Sequence, residues 1–301
     1  MSTDSLHEEI IVGVDGSPQS EAAVRWAVAE AVMRDEQLRI VHVLPLIGGW
    51  TGVGLSGSPL AEETFQWQQR EAQQLVENAV QVARGCAGGD TLRISGDTLQ
   101  LSTETSIVPT LVDLTKQARM IVVGDSGQGA VSRTLLGSVS TALIHHAHCP
   151  VAVVHGEVSP EHVNAPIVVG VDGSPVSERA TELAFEEASL RHVELVALHA
   201  LSDAEWLGHA PTIPWDVVTA DVEVTLAERL ASWQERYPDV VVRRIVVRNQ
   251  PARHLLAESE SAQLVVVGSH GRGGFAGMLL GSVSSAVVHG SHTPVIVARQ
   301  D

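Results

Sequence analysis

Asp15 and Asp172 each follow a short apolar run and precede Gly-Ser-Pro. Ile11-Val12-Gly13-Val14-Asp15-Gly16-Ser17-Pro18 returns 157 residues later as Val168-Val169-Gly170-Val171-Asp172-Gly173-Ser174-Pro175. A carboxylate at the end of a strand can accept hydrogen bonds from the hydroxyls of a sugar. As an Asx-type turn it can equally stabilise the start of the next helix. A second pair of segments carries glycines and serines: Gly124-Asp125-Ser126-Gly127-Gln128-Gly129 and Gly268-Ser269-His270-Gly271-Arg272-Gly273 are followed by Gly137-Ser138-Val139-Ser140 and Gly281-Ser282-Val283-Ser284. Glycines let main-chain N–H groups approach a ligand, and a helix opening on Gly-Ser offers N–H groups and a dipole that favour phosphate. One copy of G-x2-G-x9-G-S also reads as a glycine-rich turn before an ordinary helix cap. Two copies, with Ser140 and Ser284 both kept, point to an anion site.

The elements that would position these residues are themselves written twice. Residues 121–154 align without gaps on 265–298, with 17 of 34 positions identical, including His145, His148 and Pro150. The chain therefore reads as two homologous domains, 1–155 and 156–301, joined by a polar, proline-bounded linker from His155 to Pro166. Short apolar runs alternate with longer amphipathic ones, the pattern of β-α-β units around a parallel sheet buried on both faces. Strands are predicted near 9–15, 38–44, 97–103, 120–124 and 150–154, and again near 166–172, 194–200, 240–248, 263–268 and 294–298. First-half helices are predicted near 18–34, 60–84, 107–118 and 137–147. Ser17-Pro18 and Ser174-Pro175 mark helix starts, serine as N-cap and proline at the first helical position. In such a sheet, ligands bind beyond the carboxyl ends of the strands, where both motif pairs fall.

The order of these features over nearly the whole chain resembles the tandem, ATP-binding kind of universal stress protein. Asp ends strand one, His42-Val43 or His199-Ala200 ends strand two, and G-x2-G-x9-G-S follows strand four. The resemblance implies two doubly wound five-stranded α/β domains, Rossmann-like and adenine nucleotide α-hydrolase-like, with strand order 3-2-1-4-5. It implies ATP, with or without Mg, as the ligand. Asp15 would meet the ribose, main chain at Val43 the adenine, Gly124 and Gly127 the ribose and phosphates, and Gly137, Ser138, Val139 and Ser140 the phosphates, with Gly13 and Val123 at the strand ends beside them. The matching second set is Gly170, Asp172, Ala200, Val267, Gly268, Gly271, Arg272, Gly281, Ser282, Val283 and Ser284. The resemblance also implies that the halves form an intrachain pseudo-dimer through the fifth strands, near 150–154 and 294–298. A further homodimer and an unknown protein partner that reads nucleotide occupancy are left open.

One departure concerns charge. Asp125 places a carboxylate where the second half has Ser269, next to an expected polyanion, so the first site should be the weaker unless Asp125 faces away or meets a metal. Arg272 could bond phosphate, whereas Gln128 cannot form the same charge-assisted contact.

Composition narrows the classes. Nineteen basic against 36 acidic residues give a net charge of −17, which disfavours sequence-independent binding to nucleic acid. Lys116, the only lysine, lies outside any glycine-rich loop, so no G-x-x-x-x-G-K-[ST] phosphate loop is present. Asp4, Glu8 and Glu9 occupy the start of the chain where an export signal carries positive charge, and the uncharged stretch Leu44 to Ala61 holds five glycines and two prolines, so it reads as a loop rather than a membrane span. Cys86 and Cys149 are too few for a disulfide scaffold; a cytoplasmic protein is expected. His145, His146, His148 and Cys149 resemble a metal cluster, but their place at a helix end suits the dipole, and Cys149 becomes Thr293; no metal is expected there. His42 and His199 read as hydrogen-bonded core residues, and Trp67, Trp215 and Trp233 as packing or interface residues. The leading reading is a regulatory ATP-binding protein without catalytic residues. Its rival is a slow ATP hydrolase or adenylyl-transfer enzyme on the same scaffold.

Overall fold

The computed structural model describes residues 9–44, 59–89, 91–101, 106–127, 136–156, 160–201, 215–272 and 280–299. Most of the uncharged Leu44 to Ala61 stretch, together with Gln128, Gly129 and Gly273, lies outside them. The chain divides into two compact units at Cys149 and Pro150.

In the first unit, four strands alternate with helices: β1 (Glu9–Gly13), α1 (Pro18–Arg34), β2 (Gln37–Leu44), α2 (Pro59–Cys86), β3 (Ile94–Gln100), α3 (Ile107–Leu114), β4 (Met120–Gly124) and α4 (Ser138–His146). The strands are parallel in the order β3-β2-β1-β4. Every residue of β4 is buried, which is why it reads as an unbroken apolar run. β3 begins three residues before its predicted start, because Ile94 pairs with Leu38 on β2. As Ile-Ser-Gly-Asp-Thr-Leu-Gln, it is half-exposed and carries little hydrophobic signal.

The second unit opens with β5 (Val151–Val154) and a single 3₁₀ turn at Pro160–His162. It then repeats the pattern: β6 (Ile167–Gly170), α5 (Pro175–Arg191), β7 (Leu195–Leu201), α6 (Trp215–Arg236), β8 (Val242–Arg248), α7 (Pro251–Ser259), β9 (Leu264–Gly268), α8 (Ser282–Gly290) and β10 (Val295–Ala298). Its parallel strands run β8-β7-β6-β9-β10, that is, third, second, first, fourth, fifth. β5 adds to this sheet antiparallel to β10, with Val153 opposite Val295, Ala152 opposite Ile296 and Val151 opposite Val297. All of these side chains are fully buried.

Both faces of the sheets are covered. A Cβ on Gly268 would meet Val176 of α5, and one on Gly170, whose side of the sheet is opposite, would meet Leu255 of α7. α5 and α7 therefore flank the sheet on its two sides. Phe185 of α5 stacks on Trp233 and Tyr237 at centroid distances of 6.4 and 6.0 Å, so Trp233 is a packing residue, whereas Trp67 is 56% exposed.

The helix starts follow from local chemistry. Ser17 Oγ accepts from Ser20 N–H and Ser174 Oγ from Ser177 N–H, each at 3.2 Å, with proline at the next position. α1 and α5 both end on a left-handed residue, Asp35 and His192, each at φ 55°. Among the described residues, no helix is long and apolar enough to cross a membrane.

Candidate functional site

At the carboxyl end of β1, Asp15 is held by its own turn: Ser17 N–H and Ser17 Oγ–H donate to Oδ1 at 3.0 and 2.6 Å. Oδ2 points across to the segment after β4 and lies against Gly127, so closely that a Cβ on that residue would overlap it. The second unit repeats this. Asp172 Oδ1 accepts from Ser174 N–H at 2.9 Å, Oδ2 lies against Gly271 and accepts from Arg272 N–H at 3.1 Å. The turn is shaped by Gly16 and Gly173 at φ 83° and 75°. Asp172 N–H also bonds Ser177 Oγ at 2.9 Å. The carboxylate is thus an Asx-type turn acceptor on one oxygen and meets the glycine segment with the other.

The same segments are tied to the last helix. Gly137 N–H donates to the Asp125 carbonyl, and Gly281 N–H to the Ser269 carbonyl, both at 2.7 Å. Ser140 Oγ–H donates to the Gly124 carbonyl at 2.7 Å and Ser284 Oγ–H to the Gly268 carbonyl at 2.5 Å. Those bonds draw the amino ends of α4 and α8 onto the ends of β4 and β9. The first residue to donate into α4 is Thr141, to Gly137; in α8 it is Ser285, to Gly281. The main-chain N–H groups of Ser138, Val139 and Ser140, and of Ser282, Val283 and Ser284, therefore stand in the first turn, where no intrahelical acceptor exists. Three N–H groups at a helix start, beside a segment that a carboxylate meets, are suited to an anion on one side and hydroxyls on the other. The hydroxyls of Ser140 and Ser284 are buried and hold the main chain, so it is the N–H of each serine that faces this role.

Gly13 ends β1 and Gly170 ends β6, two residues before Asp15 and Asp172, while Val123 and Val267 are next to last in the neighbouring strands β4 and β9. Val43 and Ala200 lie near the carboxyl ends of β2 and β7, on the same edge. Asp125 is half-buried and its Oδ1 accepts from Ser126 Oγ at 2.9 Å, while in the second unit Ser269 Oγ meets His270 Nδ1 at 3.1 Å. Replacing Asp125 by serine removes a negative charge from within the glycine segment, next to Gly124. Phosphate affinity at the first site is expected to rise about tenfold, the worth of a like charge at a few ångströms in a partly wet site. Calorimetric titration of the variant checks it, and an unchanged affinity would show that the carboxylate points elsewhere.

Lys116, beyond the end of α3, pairs with Asp113 at 2.6 Å and holds that carboxyl below its ordinary range. It stands before β4, at the sheet edge opposite the glycine segments. His145 and His146 fall in the last turn of α4. Among the described residues no group of three or more His, Cys, Asp or Glu side chains could hold a metal. Arg229 of α6 escaped the sequence reading: its guanidinium lies over Gly173 and 3.8 Å from Glu178. Only the glycine at a turn position hinted that something packs there.

Two segments, residues 7–155 and 164–299, match the universal stress protein family. The chain belongs to that family. A universal stress protein of Mycobacterium tuberculosis strain H37Rv is 50% identical over 303 residues, covering the whole of both chains. One from Mycolicibacterium smegmatis is 48% identical over 295 residues, 96% of each. A crystal structure of a universal stress protein from Archaeoglobus fulgidus, 19% identical, superposes with TM-score 0.72 over 98% of this chain and 99% of that one, which establishes the tandem universal stress protein fold.

Proposed function

We propose that each repeat, 1–155 and 156–301, binds one adenine nucleotide, ATP with or without Mg, and that the chain is a regulatory universal stress protein rather than a catalyst. The observation that carries this reading is the duplicated meeting of a carboxylate oxygen with a glycine that can hold no side chain, Asp15 with Gly127 and Asp172 with Gly271, beside a helix start with three N–H groups. A ribose fits the carboxylate and phosphates fit the N–H groups. Main chain at Val43 and Ala200 lies on the same edge, in reach of a base. Gly13, Val123 and Gly124, with Gly170, Val267 and Gly268, form the floor, and the side chain of Arg272 adds a positive charge to the second site.

Nucleotide occupancy would set the state of the two repeats, joined through the fifth strands as an intrachain pair, and a protein partner in the stress response would read that state, in the cytoplasm. Denaturing freshly purified protein and identifying what it releases by chromatography tests the reading. One nucleotide per site, as ATP, is the expected result. A protein that releases none and gives no heat on titration with ATP would overturn it, and ADP that persists when hydrolysis during purification is blocked would favour a slow hydrolase.

A further inference from the structure

β1 stops at Gly13 while β2 runs on to Leu44. In their register Gly13 lies opposite Val41. The ladder takes one more step, Val14 N–H donating to the Val41 carbonyl at 2.9 Å. Pairing of a parallel strand alternates between its two neighbours: Leu38 N–H turns to the Arg93 carbonyl leading into β3, so the main-chain groups of Val41 and Val43 face β1. The next rung would be Val43 N–H to the Val14 carbonyl. Among the described residues that rung is not made. The imidazole of His42 takes the Val14 carbonyl instead, at 2.7 Å from Nδ1. A carbonyl only accepts, so Nδ1 carries the proton.

The second unit does the same. Val171 N–H donates to the Leu198 carbonyl at 2.8 Å, and Leu195 N–H turns to the Val241 carbonyl at 2.9 Å. Among the described residues the rung from Ala200 N–H to the Val171 carbonyl is again unmade, and His199 Nδ1–H donates to that carbonyl at 2.7 Å.

We propose that His42 and His199 are positioning residues for base recognition. By capping the carbonyl one residue past the first strand of each repeat, each keeps the N–H and C=O of the residue that follows the histidine, Val43 or Ala200, out of the sheet and turned to the space that Asp15 or Asp172 borders. This rests on the adenine nucleotide reading above. The edge of adenine presents an amino donor beside a ring-nitrogen acceptor, which one strand residue can meet with its C=O and N–H. Hypoxanthine presents the reverse, a carbonyl acceptor beside a ring N–H donor, and leaves both main-chain groups facing like partners. Without the imidazole the Val14 carbonyl would take Val43 N–H, lengthen the ladder by one rung and withdraw the donor from the base.

The test uses the full chain and two paired variants, His42→Leu with His199→Leu, and His42→Asn with His199→Asn, whose amide keeps an N–H donor near the Nδ1 position. Amide hydrogen exchange is read at Val41, Val43, Leu198 and Ala200 without nucleotide, and affinities are measured for AMP and IMP. In the wild type the Val43 and Ala200 amides should exchange faster than those of Val41 and Leu198. The leucine pair should slow them about tenfold, lower AMP affinity about tenfold and narrow the preference for AMP over IMP, the worth of one main-chain hydrogen bond in a partly buried site. The asparagine pair should restore both. The proposal is overturned if the wild-type Val43 and Ala200 amides are as protected as their neighbours, or if the leucine pair, with its fold intact, binds AMP and discriminates IMP as the wild type does. A wild-type protein that binds neither nucleotide overturns it together with the nucleotide reading. Wild-type binding with indifferent variants overturns this role alone.

Discussion

Gly271→Ala is expected to remove nucleotide binding from the second site, and Gly127→Ala from the first, each variant retaining the other site. The added methyl group would overlap Asp172 Oδ2 or Asp15 Oδ2. Neither carboxylate can swing aside without loss. Asp15 Oδ1 is fixed by two bonds from Ser17, and Asp172 is fixed by Ser174 N–H on one oxygen and Arg272 N–H on the other. Either the carboxylate leaves its turn or the glycine segment lifts away from it. If the segment lifts, the bond from Gly137 N–H to the Asp125 carbonyl, or from Gly281 N–H to the Ser269 carbonyl, is strained as well, and the helix start moves off the strand end. Overpacking of this kind costs about 1–3 kcal/mol of stability, so the fold should survive. Affinity should fall about a hundredfold, because two ligand contacts are lost at once. Calorimetric titration reads this as binding stoichiometry halved in each single variant and lost in the double variant. Full stoichiometry with a native denaturation profile would remove the Asp-Gly contact from the site.

The strand and helix pattern was legible because a parallel sheet covered on both faces demands apolar runs, and β4 and β5 are buried along their whole lengths. Ser17-Pro18 and Ser174-Pro175 placed their helices to the residue, since cap chemistry is local. β3 was placed late for the opposite reason. Its half-exposed Ile-Ser-Gly-Asp-Thr-Leu-Gln carries no period, and only the partner strand β2 fixes where it begins. The repeat exposed the site residues, but not their division of labour. Ser140 and Ser284 look like phosphate donors in sequence, yet their hydroxyls bind the carbonyls of Gly124 and Gly268 and so bring helix and strand together. His42 and His199 were read as hydrogen-bonded core residues. What periodicity could not supply was the partner, a carbonyl 28 positions away in each unit that is left over because one strand is shorter than its neighbour. Arg229 of α6 likewise reaches Gly173, 56 positions earlier in the turn before α5, a contact no local pattern announces.

A second large effect is expected far from the glycine segments. Glu187 on α5 is fully buried and pairs with Arg191 one turn on, Oε2 lying 3.1 Å from Nη2 and 3.2 Å from Nε. Burial pushes the Arg191 guanidinium down to about 10, which still leaves it charged at neutral pH. Desolvating two ions offsets much of their attraction, so the intact pair contributes little net stability. Removing one partner is different, because the other charge stays buried. Glu187→Ala is expected to destabilise the chain by about 3–5 kcal/mol. At roughly 2–4 °C per kcal/mol for a unit of this size, the midpoint of the affected transition should fall by about 6–20 °C. Replacing both residues with apolar side chains of similar volume, Glu187→Leu with Arg191→Met, should recover most of that loss. Thermal and urea denaturation of the single and double variants decide the matter: a single variant within 1 kcal/mol of wild type, on the order of an ordinary surface substitution, would mean that water reaches Arg191 once its partner is gone. Glu30 and Arg34 hold the equivalent places on α1, 3.3 Å apart and almost wholly buried, so Glu30→Ala should lower the stability of the first unit by a similar amount. Neither substitution touches Asp15, Asp172 or the glycine segments. Below the lowered transition temperatures both variants should therefore still bind nucleotide at two sites.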